Sequence, residues 1–247
     1  KGYVTFFAAE KNHPVMATHR AQGHAVVFVE GGHLIAAKGE LLQSIPLADV
    51  PVTLGGAIGF QVENVMASVA AAWALGQDWA SIRKGLTNFS NDSHNAAGRF
   101  NLFNYRGATV IADYGHNPDA MLALVQAVQA MPATRRAVVI SGAGDRRDQD
   151  IRQQTVILGD AFDEVVMFED QCQRGRNDGE VIALLREGLV NAKRTVKRSE
   201  VFGEFLAIDT AMDQLQPGEL CLVLVDQVEE AMAHIAAKVA KANGNAA

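Results

Sequence analysis

From Arg99 onward, short apolar runs alternate with stretches whose apolar residues recur every three or four positions, the pattern of strands alternating with helices. RFNLFNY (99–105) and ATVIADY (108–114) read as a hairpin, and RAVVISG (136–142), EVVMFED (164–170), RTVKRSEV (194–201) and CLVLVD (221–226) as further strands. The helical stretches between them are PDAMLALVQAVQAM (118–131), DIRQQTVILGD (150–160), DGEVIALLREGL (178–189) and GEFLAIDTAMDQL (203–215). Such alternation predicts an α/β fold with a Rossmann-like, mostly parallel sheet covered by helices on both faces. The first part follows another pattern. GYVTFF (2–7) reads as a buried strand, HPVMATHRAQG (13–23) as a short helix closed by Gly23, and HAVVFVEGGHLIAAKG (24–39) as a hairpin turning at Gly31 and Gly32. Long apolar periodicity predicts helices from Gly59 to Leu75 and from Trp79 to Phe89. The polar, unperiodic run SNDSHNAAG (90–98) reads as a linker, and the domains are drawn as residues 1–97 and 98–247.

A length of 247 residues fits one to two domains at about 150 residues each. With 49% hydrophobic and 20% charged residues the chain has the composition of a globular protein, not of a disordered one. The formal net charge of −6 excludes a protein that coats a nucleic-acid duplex through a basic face, while small anionic ligands held by local loops stay open. Cys172 and Cys221 stand far apart with no second thiol or histidine at metal spacing, so neither a disulfide framework nor a zinc site is expected, and a reducing, cytoplasmic setting is the default. The apolar stretch from Met66 to Leu75 is too short to span a bilayer, and no secretory or lipidation signal precedes it. The chain opens on Lys1 and runs straight into a strand, as a fragment of a longer protein does. His13, His19, His24, His33, His94 and His234 show no ligand spacing and read as surface or turn residues.

Ligands on parallel sheets sit at the carboxyl ends of the strands, so the polar residues following each apolar run carry the candidate chemistry: Asp113 to Asn117, Gly142 to Asp148, Glu169 to Arg176, and Asp226 with Gln227. In DYGHNPDA (113–120) a strand ends in a carboxylate suited to ribose hydroxyls, and His116 stands at a helix entrance suited to a phosphate. A plain turn capped by Asn117 is the equal alternative. SGAGDRRDQD (141–150) begins like a dinucleotide loop, but Arg147 occupies the place of the third glycine, which weakens a nicotinamide reading. What remains is a flexible loop whose Asp145, Arg146, Arg147 and Asp148 can grip a zwitterion, or simply face solvent. EDQCQRGRNDGE (169–180) sets Glu169 and Asp170 beside Arg174 and Arg176, which can meet a substrate or one another.

Taken together, TLGGAIGFQVENVMASVAAAWALG (53–76), GRFNLF (98–103), VIADYGHNPDAM (110–121), VVISGAGDRRDQDI (138–151), GDAFDEVVMFEDQCQRGRNDGEVIALLREGL (159–189) and LVLVDQVEEAMAHI (222–235) resemble the ATP-dependent Mur ligases, in particular the Mur-ligase-like part of cyanophycin synthetases. The resemblance runs over essentially the whole chain. It implies the end of a central ATPase domain followed by a complete C-terminal domain. It also implies a reaction that joins a carboxylate to an amine through an acyl phosphate, with ATP and Mg2+, release of ADP and, in the cyanophycin branch, attachment of arginine to the aspartate side chains of polyaspartate. Residue by residue, Asn64 matches the asparagine that closes on adenine, Arg99 the arginine that reaches the nucleotide after the linker, and Asp113 the aspartate that holds the ribose, with His116 and Asn117 following near the phosphates. Asp145, Arg147, Asp170 and Arg174 fall where related ligases recognise the incoming amino acid. No catalytic residue is assigned within the chain, metal ligands are assigned to none of these residues, and a homo-oligomer is expected of the full-length ligase.

Three departures stand out. Ala97 replaces the usual proline before Gly98, Phe60 and Gln61 replace the His-Asn pair of many Mur ligases, and no G-x-x-x-x-G-K-[ST] phosphate loop occurs in the 247 residues. The last implies that the chain by itself catalyses nothing. A stand-alone Mur-type module that binds a nucleotide or amino acid without catalysis is the alternative.

Overall fold

The structure is a computed structural model that describes residues 3–92, 95–169 and 172–244. The chain forms two compact units, residues 1–90 and 91–247. Asp170 and His94 lie outside the described residues.

The first unit is a four-stranded sheet with helices on both faces. Strands β1 (Phe6–Glu10), β2 (Val26–Glu30), β3 (His33–Lys38) and β4 (Leu41–Pro46) lie side by side in chain order, β1 parallel to β2 and the others antiparallel. The expected hairpin forms, with Glu30 opposite His33 and both turn glycines at positive φ, as a two-residue turn requires. Helix α1 (Pro14–Ala21) buries Met16 against Val26, Phe28, Ile35 and Ala37 on one face. On the other, α2 (Gly59–Ala74) lays Val62, Val65, Met66 and Val69 over Val27, Leu34, Ala36 and Ile45, and α3 (Trp79–Asn88) adds Ile82. The first strand starts at Phe6 rather than Gly2 and is not buried, since Phe6 and Phe7 are 38% and 45% exposed. Strand β4, whose LLQSIP lacks a clean alternation, was not expected at all.

The second unit is a six-stranded sheet in the order β5-β6-β10-β7-β8-β9. Its strands are β5 (Asn101–Tyr105), β6 (Ala108–Asp113), β7 (Arg136–Ile140), β8 (Glu164–Glu169), β9 (Lys197–Phe202) and β10 (Leu220–Leu224). Only β5 is antiparallel, pairing with β6 as the hairpin predicted. Helices α4 (Pro118–Gln129), α5 (Asp148–Gly159) and α6 (Glu180–Gly188) link β6 to β7 to β8 to β9, each packing on the next. α7 (Glu204–Met212) returns to β10, and α8 (Val228–Gly244) follows it. α7 and α8 cover one face, burying Ala207, Ile208, Met212, Met232 and Ile235 against Val110, Val139, Val166 and Val223. Alternate residues of the same strands, Ile111, Val138, Val165 and Leu222, are buried as well, which period-two geometry directs to the opposite face under α4 to α6. Because β10 stands between β6 and β7, the connection leaving β10 goes to one face while those leaving its two neighbours go to the other. That divergence opens a crevice at the strand ends, the place where open α/β sheets bind ligands. Among the described residues no helix is long and apolar enough to cross a membrane.

Candidate functional site

The turns after β6, β10, β7 and β8 converge at this crevice. Asp113 ends β6 and is 9% exposed. Its Oδ2 accepts the N–H of Phe100 at 2.8 Å, which fixes a buried phenylalanine in the left-handed backbone region, φ 55°. Burial pushes the Asp113 carboxyl up to about 6, opposed by the Phe100 N–H and by the charges of Arg99 and His116. Since this pKa lies above the ordinary value near 3.8, the bonus of a neutral Asp113 is complete below pH 4 and disappears as the pH rises through 6. Asp113→Asn removes that dependence. The stability difference between wild type and variant should therefore move by about 2 kcal/mol between pH 4 and pH 7, at the expense of the wild type, in urea unfolding at both pH values.

Tyr114 and His116 stack with centroids 4.1 Å apart, and the Arg99 guanidinium lies 5.6 Å from the Tyr114 ring centre. His116 Nε2 is 3.1 Å from Asp226 Oδ1, while its buried Nδ1 has no hydrogen-bond partner among the described residues. The same Asp226 oxygen accepts from Arg174 Nη2 at 3.0 Å, and Arg174 Nη1 lies 3.5 Å from Asp145. Burial works against the Arg174 charge, but Asp226, Tyr114 and Asp145 outweigh it and hold its pKa above the ordinary value. Arg174 also adopts φ 49°, a strained conformation for a side-chain-bearing residue. The structure thus gathers Arg99, Asp113, His116, Asp145 and Arg174 around Tyr114 and Asp226.

The remaining candidates stand apart. Asn117 caps α4, its Oδ1 accepting the Ala120 N–H at 2.8 Å, so the capping alternative describes its side chain. Arg147 is 82% exposed and grips Asp150 with two bonds of 2.8 and 2.9 Å. It shares with Asn117 and Asp119 an opening of about 450 Å³ beside the crevice. Asn64 belongs to the first unit. It donates to Gln61 Oε1 at 3.2 Å and, with Gln61, Ser68 and Phe89, lines a mostly apolar cavity of about 390 Å³ between α2 and α3.

The loop after β7 is not the flexible one expected. Arg176 donates to the carbonyls of Gly144 and Arg146, both at 2.7 Å, and pairs with Asp148 and Glu180, pinning this loop to the one after β8. Its glycines serve close packing: a Cβ at Gly144 would overlap the Gln173 carbonyl oxygen, and one at Gly142 would lie 2.7 Å from Val181. Glu204 was missed altogether. It is 2% exposed at the start of α7 and accepts the N–H groups of Asp226 at 2.8 Å and Gln227 at 3.0 Å. The signal available was an acid at the first position of a helix after a glycine, a pattern shared by many surface helices. Among the described residues no group of three or more His, Cys, Asp or Glu side chains could hold a metal ion.

A doubly wound sheet with a polar crevice at its switch point is the architecture in which α/β domains bind ligands at their strand ends. The model of the Mur ligase, glutamate ligase domain matches residues 98–242, and the chain belongs to the Mur ligase family. It is 33% identical over 230 residues to a cyanophycin synthetase of Geminocystis herdmanii, covering 92% of this chain and 26% of that protein. It is 31% identical over 240 residues to one of Synechocystis sp., covering 96% and 27%. The chain thus spans about a quarter of the length of these relatives. Its fold is similar to that of E. coli FolC solved in complex with DHPP and ADP, with a TM-score of 0.66 and 19% identity over 96% of this chain and 54% of that one.

Proposed function

We propose that the chain is the C-terminal portion of a cytoplasmic, ADP-forming carboxylate–amine ligase of the cyanophycin synthetase kind, which adds arginine to the aspartate side chains of a polyaspartate acceptor. Residues 1–97 are the end of its central ATP-binding domain and 98–247 its C-terminal domain, and the whole ligase works as a homo-oligomer. The observation that carries this reading is the convergence of Asp113, His116, Asp226, Arg174 and Asp145 at the switch point of a chain that matches cyanophycin synthetases over more than nine-tenths of its own length.

Asp113 offers acceptor oxygens to ribose hydroxyls, and Arg99, over the ring of Tyr114, reaches the nucleotide. His116 and Asn117, at the positive end of α4, face the phosphates, and the Nδ1 of His116, unpartnered among the described residues, suits a phosphate oxygen. Asn64 closes on the adenine. In the reaction an acceptor carboxylate oxygen attacks the γ-phosphorus of ATP, the bond to the ADP oxygen breaks, and an acyl phosphate results. The amino group of the incoming amino acid, having lost its proton, attacks the acyl carbon, and phosphate departs. Mg2+ would neutralise phosphate charge in the first step, and the described residues offer it no cluster of ligands. Asp145, Asp170 and Asp226 suit the guanidinium of arginine, while Arg174 and Arg147 suit its carboxylate.

The test is incorporation of labelled arginine into polyaspartate by the ligase that carries this segment together with an upstream phosphate loop. We expect ATP-dependent incorporation, abolished by Asp113→Ala with His116→Ala. The purified 247-residue chain, lacking the phosphate loop, is expected to turn over no ATP. Hydrolysis by that chain alone would overturn the assignment of the nucleotide site to two segments.

A further inference from the structure

Glu204 is nearly devoid of solvent contact, although it stands only two residues after the carboxyl end of β9. It is the first residue of α7, after Gly203 at φ 91°, and α7 leads into β10. Because β7 to β10 run parallel, the start of α7 and the turn after β10 share one edge of the sheet, and the Glu204 carboxylate takes one backbone N–H on each oxygen, from Asp226 and from Gln227. A buried carboxylate is tolerated where N–H groups replace its water, and two such bonds fix the backbone of the turn firmly. The residue so fixed is the hub of the crevice. Asp226 Oδ1 lies 3.1 Å from His116, on the turn after β6, and 3.0 Å from Arg174, on the turn after β8. One oxygen can serve both only if its main chain is held at a set height above the sheet.

We infer that Glu204 is a positioning residue: it holds the turn after β10 so that Asp226 ties the phosphate-facing His116 to the substrate-facing Arg174. The functional half of this inference rests on the ligase reading above. Glu204→Gln keeps the volume but sets an N–H₂ against one of the two backbone N–H groups. In the 247-residue chain, hydrogen exchange should then speed up at least tenfold at Asp226 or Gln227, with Val223 in the middle of β10 unchanged. In the full-length ligase, Glu204→Gln and Asp226→Asn should each lower kcat/KM for arginine at least tenfold. The double variant should be no worse than Asp226→Asn alone, because Glu204 acts through Asp226.

A double variant whose loss equals the product of the single losses overturns the inference, as does unchanged exchange at both amides. If Glu204→Gln does not fold, Glu204→Asp keeps both acceptor oxygens on a shorter stem and should show the same exchange and coupling pattern with smaller losses. If the wild-type ligase incorporates no arginine, the functional reading fails. The exchange measurement then still decides whether Glu204 fixes the turn.

Discussion

Gly144→Ala is expected to lower kcat/KM of the ligase that carries this segment by about a hundredfold while leaving the fold of the second unit intact. The added methyl would overlap the carbonyl oxygen of Gln173, a backbone atom that cannot rotate away. Restoring ordinary contact requires the loops after β7 and β8 to part by on the order of 1 Å. These are the loops that carry Asp145 and Arg174, and Arg176 bonds them together through the Gly144 and Arg146 carbonyls. A displacement of that size in a positioning group is enough for about a hundredfold loss of rate. Steady-state kinetics with arginine as the varied substrate, alongside circular dichroism, gives the answer. Near-native kinetics would mean that the two loops do not act together in the reaction.

Gly188→Ala should lower stability by about 2–3 kcal/mol, although alanine is intrinsically the better helix former by about 1 kcal/mol. Gly188 ends α6 where it crosses α5, and a Cβ there would overlap the Arg152 carbonyl oxygen and the Thr155 hydroxyl. That hydroxyl donates to the Leu185 carbonyl at 2.8 Å, so the methyl would also break the polar tie between the helices. A fall in the melting midpoint of roughly 5–10 °C, read by scanning calorimetry, is expected. The contrast is Gly85 in α3, where an added methyl would meet no other segment of the described residues within 4 Å. There the same exchange should stabilise the first unit by about 0.5–1 kcal/mol.

The central parallel strands of the second unit were legible because each is an apolar run bounded by turn residues, as burial on both faces demands, whereas β9, KRSEVF at the sheet edge, is mostly exposed. The place of β10 between β6 and β7 could not be read, since sheet order is decided by which faces the helices cover rather than by any single segment. In the first unit β4 escaped because its apolar and polar residues do not alternate. The candidate site divided along similar lines. Asp113, His116, Asp145 and Arg174 stand at strand ends or in the turns that follow, where chemistry is expected, and the structure brings them together. Arg147 stands in such a turn too, but a neighbouring carboxylate one helical turn away captures it. Glu204 and the pinning role of Arg176 depend on contacts between segments more than twenty residues apart, which no local pattern announces.

The strand order carries a consequence for how this domain comes into being. β6 and β7 are joined by one short crossover but do not touch; the strand that fills the gap between them is the last of the sheet to be synthesised. Until β10 emerges from the ribosome, the nascent unit has two unpaired strand edges at its centre, each inviting a neighbour. The turn bearing Asp226 follows at once. Completion of the sheet and assembly of the crevice are therefore a single late event, and a chain interrupted before Leu220 would hold most of the contributing residues while owning no site.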